Sequence, residues 1–155
     1  MKMWIDTEFN GFQGELISIA IVAEDGAEFY EIVDLEERAD PWVFRNVIPV
    51  LNSHKIDTNN RFGVHCCRVP MSRDMVRRSM QAFLAGYKDV HLVADWPEDI
   101  ALFCRLLLTE NPGERIDTPA LTMEITRTDY ASEVPHNALE DARAMRRGDT
   151  GRLFP

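Results

Sequence analysis

The stretch Trp4-Ile5-Asp6-Thr7-Glu8-Phe9 decides how the rest of the chain is read. Met3-Trp4-Ile5 has the apolar start of a buried strand, and two carboxylates then break in. A strand sends alternate side chains to opposite faces, so Asp6 and Glu8 share one face, roughly 6–7 Å apart along the strand. Two carboxylates on a hydrophobic strand repel each other and resist desolvation; a bound divalent cation removes both penalties. The plainer reading is a strand end running into a solvated turn, with Asn10, Gly11 and Gly14 as turn residues. Aspartate-x-glutamate after an apolar triplet fits either reading until its context is known.

The composition narrows the context. A chain of 155 residues suits one domain with a real core. Residues 1–5 lack a signal-peptide pattern and no apolar run is long enough to span a bilayer, so no membrane partner is expected. Three cysteines, two of them adjacent at Cys66-Cys67, make neither a disulfide framework nor a zinc pair; reduced thiols in a cytoplasmic protein are expected. A formal charge of −9 argues against a protein that coats nucleic acid with a basic surface. It leaves room for an enzyme that grips only a strand end and spends its acids on metal ions. Two arginine clusters, Arg73/Arg77/Arg78 and Arg143/Arg146/Arg147, read mostly as solvated helix faces.

Glu15 to Glu24 is apolar on both faces, with Ile17, Ile19 and Ile21 on one and Leu16, Ala20 and Val22 on the other, which predicts a covered central strand. Asp25-Gly26 favours a primed turn into a third strand over Ala27–Val33. Pro41–Leu51 reads as a short helix capped by Asp40. Residues 52–70 carry no assignable pattern. Ser72 caps a helix to Ala85, with Met75, Val76, Met80, Phe83 and Leu84 as its apolar stripe. Asp89–Ala94 is a fourth strand in which His91 has no evident acidic partner and is structural.

A helix follows to about Leu108, with Asp95 as a plausible cap and Pro97 in its first turn. Asp99 lies in register with Leu102, Phe103 and Leu106, so the buried stripe carries it inward. Ala120–Thr126 is a fifth strand. Asn137 caps the last helix and Glu140 completes a near capping box, which holds His136 just before the helix and Asp141 in its second turn.

Strands followed by alternating strands and helices indicate an α/β fold, a mixed five-stranded sheet flanked by helices. Asp6, Glu8, Asp99, His136 and Asp141 can then meet at one sheet edge. Four carboxylates form a hard-oxygen site suited to Mg²⁺ or Mn²⁺. Two such ions about 3.5–4 Å apart can clamp the attacking and leaving oxygens of a phosphodiester. A histidine titrating near neutrality suits the role of base for the attacking water.

Asp6-x-Glu8, an aspartate at the helix after the fourth strand, and His136-x-x-x-x-Asp141 resemble the three motifs of the DEDDh (DnaQ-like) exonucleases, a branch of the ribonuclease H-like fold. Within that family, Asp6-Thr7-Glu8-Phe9, Glu15-Leu16-Ile17-Ser18-Ile19, Val22-Ala23-Glu24-Asp25-Gly26 and His136-Asn137-Ala138-Leu139-Glu140-Asp141-Ala142-Arg143 are most similar to the RNase AS / RNase T-like exoribonucleases. Residues 40–72 show no such match. The resemblance implies a single exonuclease domain over residues 1–155, forming a homodimer. It implies two-metal 3′–5′ removal of nucleoside 5′-monophosphates from single-stranded RNA ends, with adenylate preferred. Asp6, Glu8 and Asp141 would hold the ions, Asp99 would act through water, and His136 would be the base. Phe9, directly after Glu8, either packs on the core or stacks on the terminal base, a contact of roughly 1–3 kcal/mol; resemblance and position favour stacking, with Trp96 a second candidate platform and Thr7 a further substrate contact.

The second motif departs from the family, where His-Asn often precedes the aspartate; here the stretch is Ala94-Asp95-Trp96-Pro97-Glu98-Asp99. Asp95 and Asp99 both compete for the role, and alignment on the following apolar residues favours Asp99. Two other functions remain open at this point: a proofreading-type DNA exonuclease, separable only by contacts to the 2′-OH, and a non-catalytic nucleic-acid-binding module on the same fold. The second would have no need for all five polar groups.

Overall fold

The computed structural model describes residues 1–127 and 130–151; the expected domain span of 1–155 ends outside them. Five strands form one sheet in the order β3-β2-β1-β4-β5. They are β1 (Lys2–Phe9), β2 (Leu16–Ala23), β3 (Glu28–Ile32), β4 (Asp89–Ala94) and β5 (Ala120–Ile125). The first three run antiparallel, whereas β1–β4 and β4–β5 are parallel, so the sheet is mixed. Helices α1 (Pro41–Asn46), α2 (Arg73–Leu84), α3 (Pro97–Leu107) and α4 (Ala138–Gly151) flank it. The fold is α/β, as the alternation of patterns predicts. No helix among the described residues is long and apolar enough to cross a membrane.

Strand periodicity divides the core in two. Met3 and Ile5 of β1 pack with Val76, Met80 and Leu84 of α2 and Leu102, Phe103 and Leu106 of α3. Trp4 points the other way, into a cluster with Ala138, Leu139, Ala142 and Met145 of α4. Every residue of β2 is buried, as a strand covered on both faces requires. Its alternation is interrupted once. Glu8 pairs with Ser18 but Phe9 pairs with Leu16, so Ile17 is the extra residue of a β-bulge. Ile17 therefore joins the Trp4 face and Leu16 the other. The expected stripe Ile17-Ile19-Ile21 holds only from Ile19 onward.

Other expectations need correction. At the β2–β3 turn Gly26 has φ +94°, while Glu24 and Asp25 stay at negative φ. The turn is an ordinary one followed by a left-handed glycine. The Ala27 N–H donates to Asp25 Oδ1 at 3.0 Å, and only the glycine takes the left-handed state. Asp40 does cap α1, accepting from the Trp42 N–H at 2.7 Å, but the helix stops at Asn46. Pro49 cannot continue an α-helical ladder, and a 3-10 turn over Ile48–Val50 takes its place. Met75 is 55% exposed: the buried ridge of α2 is Val76, Met80 and Leu84, and Met75 lies one position off it.

Two residues read as isolated or solvated have partners. His91 Nε2 lies 2.9 Å from Glu124 Oε2 across the parallel β4–β5 pair. Arg77 is buried, its guanidinium donating to the Leu106 carbonyl, Asp74 and Glu110 at 3.0–3.2 Å, which ties α2 to the end of α3. Residues 52–70 form neither helix nor strand, yet they are pinned. Asn52 exchanges two hydrogen bonds with the backbone of Arg68, and Arg68 Nε donates to the Tyr30 carbonyl at 2.8 Å.

Candidate functional site

β4 pairs with β1 only from Lys2 to Trp4 and ends at Ala94. Beyond that point the carboxyl half of β1 has no strand on this side, and the start of α3 arrives there instead. Asp6 and Glu8 continue the face of Trp4 and meet Asp141 of α4; ligand oxygens of the three lie within 4.8 Å of one another. Thr7 points to the opposite face, toward α3. Its N–H and its hydroxyl both donate to Asp99 Oδ1, at 3.1 and 2.7 Å. This clamp draws Asp99 around the strand edge, so Asp6, Asp95 and Asp99 form a second set within 4.8 Å. Asp6 belongs to both sets.

Asp95 does not cap α3 as expected. Trp96 occupies the cap position and its side chain accepts no helix N–H, and Pro97 at the first turn leaves fewer donors to satisfy. Asp95 faces the acidic cluster instead. Both aspartates of the departing second motif thus converge on Asp6, and Asp99 is the buried one.

Crowding shifts these acids. Asp6 is raised well above its ordinary value, first by burial and then by the charges of Asp99, Glu8, Asp141 and Asp95. Glu8 is raised to about 8 by burial and by Asp141 and Asp99. Asp99 is raised to about 7, mainly by burial, with the Thr7 hydrogen bonds opposing the shift. Burial raises Asp141 also. Carboxylates in this state either share protons or accept a cation.

His136 stands just before α4 with φ +64°, a left-handed conformation uncommon for a residue with a side chain. Asn137 fixes it there. The Asn137 Oδ1 accepts the Glu140 N–H at 3.2 Å as an N-cap, and its amide donates to the carbonyls of Val50 and Leu51 at 2.8 and 3.0 Å. The expected capping box is only half made. The Glu140 carboxylate accepts from the Lys55 N–H and from Arg143 instead. Arg143 also forms a two-pronged pair with Glu28 at 2.7 and 2.6 Å, so it is a half-buried bridge between α4 and β3 rather than a solvated arginine. The imidazole of His136 meets the indole of Trp42 edge to face, centroids 5.1 Å apart at 86°.

Asp6, Thr7, Glu8, Phe9, Trp96, Asp99, His136 and Asp141 line one open groove of about 260 Å³. These are the residues given a catalytic, metal or substrate role from the sequence; Asp95, the alternative second-motif carboxylate, is not among the lining residues. Phe9 is half-buried and packs on the core beneath α2 and α3, while Trp96 is 57% exposed, its Nε1 donating to Glu98 at 3.2 Å.

The donor set fits divalent metal. Asp99 is 1% exposed, and its Oδ2 is buried without a hydrogen-bond partner among the described residues. A buried, unsatisfied carboxylate oxygen is costly unless a cation or proton meets it. All-oxygen donors suit a hard ion such as Mg²⁺ or Mn²⁺.

No family model matches the chain. Two curated proteins of Mycobacterium tuberculosis, from strains CDC 1551 / Oshkosh and ATCC 25618 / H37Rv and both named 3′–5′ exoribonuclease, are 47% identical to it over 55 residues. The match covers 33% of this chain and 33% of each relative.

The sequence reading overlooked Trp42 and the grip of Asn137 on residues 50–51. An aromatic directly after the Asp40-Pro41 helix start was visible, but nothing local says which residue it touches. The Asn137 contact joins positions 86 and 87 residues apart, which no local pattern encodes.

Proposed function

We propose that the chain is a metal-dependent 3′–5′ exoribonuclease of DEDDh type on a ribonuclease H-like fold, acting on single-stranded RNA ends with adenylate preferred. The observation that carries this reading is one groove lined by four carboxylates and a histidine, one buried carboxylate oxygen lacking a partner. The named relatives support it as RNA chemistry over a third of the chain. The same reading takes residues 1–155 as one catalytic domain, working in the cytoplasm as a homodimer.

Asp6, Glu8 and Asp141 would hold one divalent ion, and Asp99 and Asp95 with Asp6 would hold another. Bound there, the ions supply Lewis-acid stabilisation of the scissile phosphate and a more acidic attacking water. The chain does the rest. His136 accepts the proton of the water as it attacks phosphorus. The bond to the 3′ oxygen of the preceding nucleotide breaks, releasing a nucleoside 5′-monophosphate. Phe9 and Trp96 offer aromatic faces to the terminal base, and Thr7 borders that nucleotide while holding Asp99. The groove opens at one end of the sheet and needs few phosphate contacts, so an acidic protein can hold an RNA end.

Two variants and two sugars test this. His136→Ala lowers turnover by roughly 10²–10⁴-fold, the contribution of a positioned base, and keeps the rise in Tm on adding Mg²⁺. Asp141→Ala loses both. RNA and DNA oligonucleotides of one sequence, compared at one salt concentration, are cut at unequal rates in favour of RNA. Equal rates would remove the RNA claim; near-normal turnover of His136→Ala would remove the base.

A further inference from the structure

We propose that Trp42 is a positioning residue for His136: its indole sets the orientation of the imidazole by direct ring contact. The inference rests on the reading of His136 as the base.

The segment from Pro41 to Leu51 grips the start of α4 at two points. At its far end the Val50 and Leu51 carbonyls accept the Asn137 amide, which locates the backbone beside His136. At its near end the Trp42 indole meets the imidazole at 5.1 Å and 86°. A ring contact of this kind occupies no nitrogen lone pair by a hydrogen bond, so it orients the ring and leaves its proton chemistry intact.

Core packing does not explain the indole. Trp42 is 49% exposed, and Val43 is the buried residue of α1. Nor is the indole needed to hold α1 in place. Asp40 caps the helix. The Asn10 side chain accepts from the Asp40 N–H at 2.7 Å and donates to the Arg38 carbonyl at 3.2 Å. Asn10 directly follows the strand that carries Asp6 and Glu8. The acidic strand, α1 and the histidine are thereby linked in one chain of contacts. The left-handed backbone of His136 fixes where its Cβ starts, and the indole restricts what remains, the two side-chain torsions.

The test is a double-mutant cycle on a single-stranded RNA oligonucleotide in Mg²⁺ with wild type, Trp42→Ala, His136→Ala and the double variant. Trp42→Ala lowers kcat roughly 3- to 10-fold, the scale of one aromatic pair, with KM changed less than about twofold. Trp42→Phe restores most of kcat. Trp42→Leu, which keeps apolar bulk without a ring, behaves as alanine and serves if the alanine variant folds poorly. In the His136→Ala background the second substitution adds no further loss. In metal-free protein, the His136 ring-proton resonances carry an indole ring-current shift that Trp42→Leu abolishes. An equal loss in both backgrounds, or a loss confined to KM, means that the indole acts on the RNA and overturns the proposal. Unaltered kcat in Trp42→Ala and Trp42→Leu beside a crippled His136→Ala removes this inference alone. A near-normal His136→Ala removes the base reading and this inference with it.

Discussion

Thr7 gives Asp99 Oδ1 two donors, at 3.1 and 2.7 Å, and no described residue gives Oδ2 one. The clamp holds Asp99 in the carboxylate set it forms with Asp6 and Asp95. It also lowers the cost of ionising Asp99, against the stronger upward push of burial. Thr7→Val removes the hydroxyl and keeps the backbone donor and the volume. A hydrogen bond to a charged group is worth about 1.5–3 kcal/mol, so Mg²⁺ affinity should fall by at least about tenfold. Isothermal titration calorimetry on metal-free protein checks this; unchanged affinity would mean that Asp99 is oriented without Thr7. The burial of Asp99 was legible in the sequence because helical register with Leu102, Phe103 and Leu106 is a local property. The Thr7 clamp and the His91–Glu124 pair were not, because each depends on the register between separate elements.

At the scale of elements, periodicity predicted the strands and helices well and their interruptions poorly. The bulge at Ile17 inverts two residues of β2, and nothing in an all-apolar run marks where the extra residue falls. The shortened α1 was within reach, since Pro49 was visible inside the segment read as helix. Arg143 shows the limit of reading charge by cluster. Its guanidinium joins α4 to Glu28 of β3 and to Glu140, with side-chain exposures of 10%, 4% and 2%. Removing the guanidinium leaves two largely enclosed carboxylates uncompensated. Arg143→Met should therefore destabilise the fold by about 3–5 kcal/mol. Arg143→Met combined with Glu28→Gln should recover part of that loss. Urea denaturation of the two variants checks it; equal stability of Arg143→Met and wild type would return this arginine to the solvated surface.

For the molecule as a whole, the sheet brings residues from both ends of the sequence to one groove, and the penalty for doing so is electrostatic. Glu8 at about 8 and Asp99 at about 7 in the folded state stand above an unfolded carboxylate near 4. The folded state then binds more protons than the unfolded state between those values. Stability in metal-free protein is full below about pH 4 from this source and is lost as pH climbs through about 7–8. Mg²⁺ bound at this site would favour the folded state, so it should raise Tm most at the alkaline end and flatten the decline. Thermal melts at pH 5 and pH 8, with and without Mg²⁺, check the sign; metal-free protein that gains stability across this window from these acids would contradict it. The grouping of Asp6, Glu8, Asp99, His136 and Asp141 was legible because each sits at a signalled strand or helix end. Asp95 was open from the sequence to either role, cap or second-motif carboxylate, since a residue before a proline-led helix looks like a cap; it does not occupy the cap position and lies beside Asp6 and Asp99. The proposed activity is removal of RNA from its 3′ end at this acidic groove with divalent metal. The direct measurement is a time course on a 5′-labelled single-stranded RNA, resolved at single-nucleotide steps, in Mg²⁺ and in excess chelator, with Asp6→Asn alongside. A descending ladder of labelled products is expected in Mg²⁺, and intact RNA with chelator or with Asp6→Asn. RNA left intact by the wild-type protein in Mg²⁺, or a ladder undiminished by chelator, would contradict it.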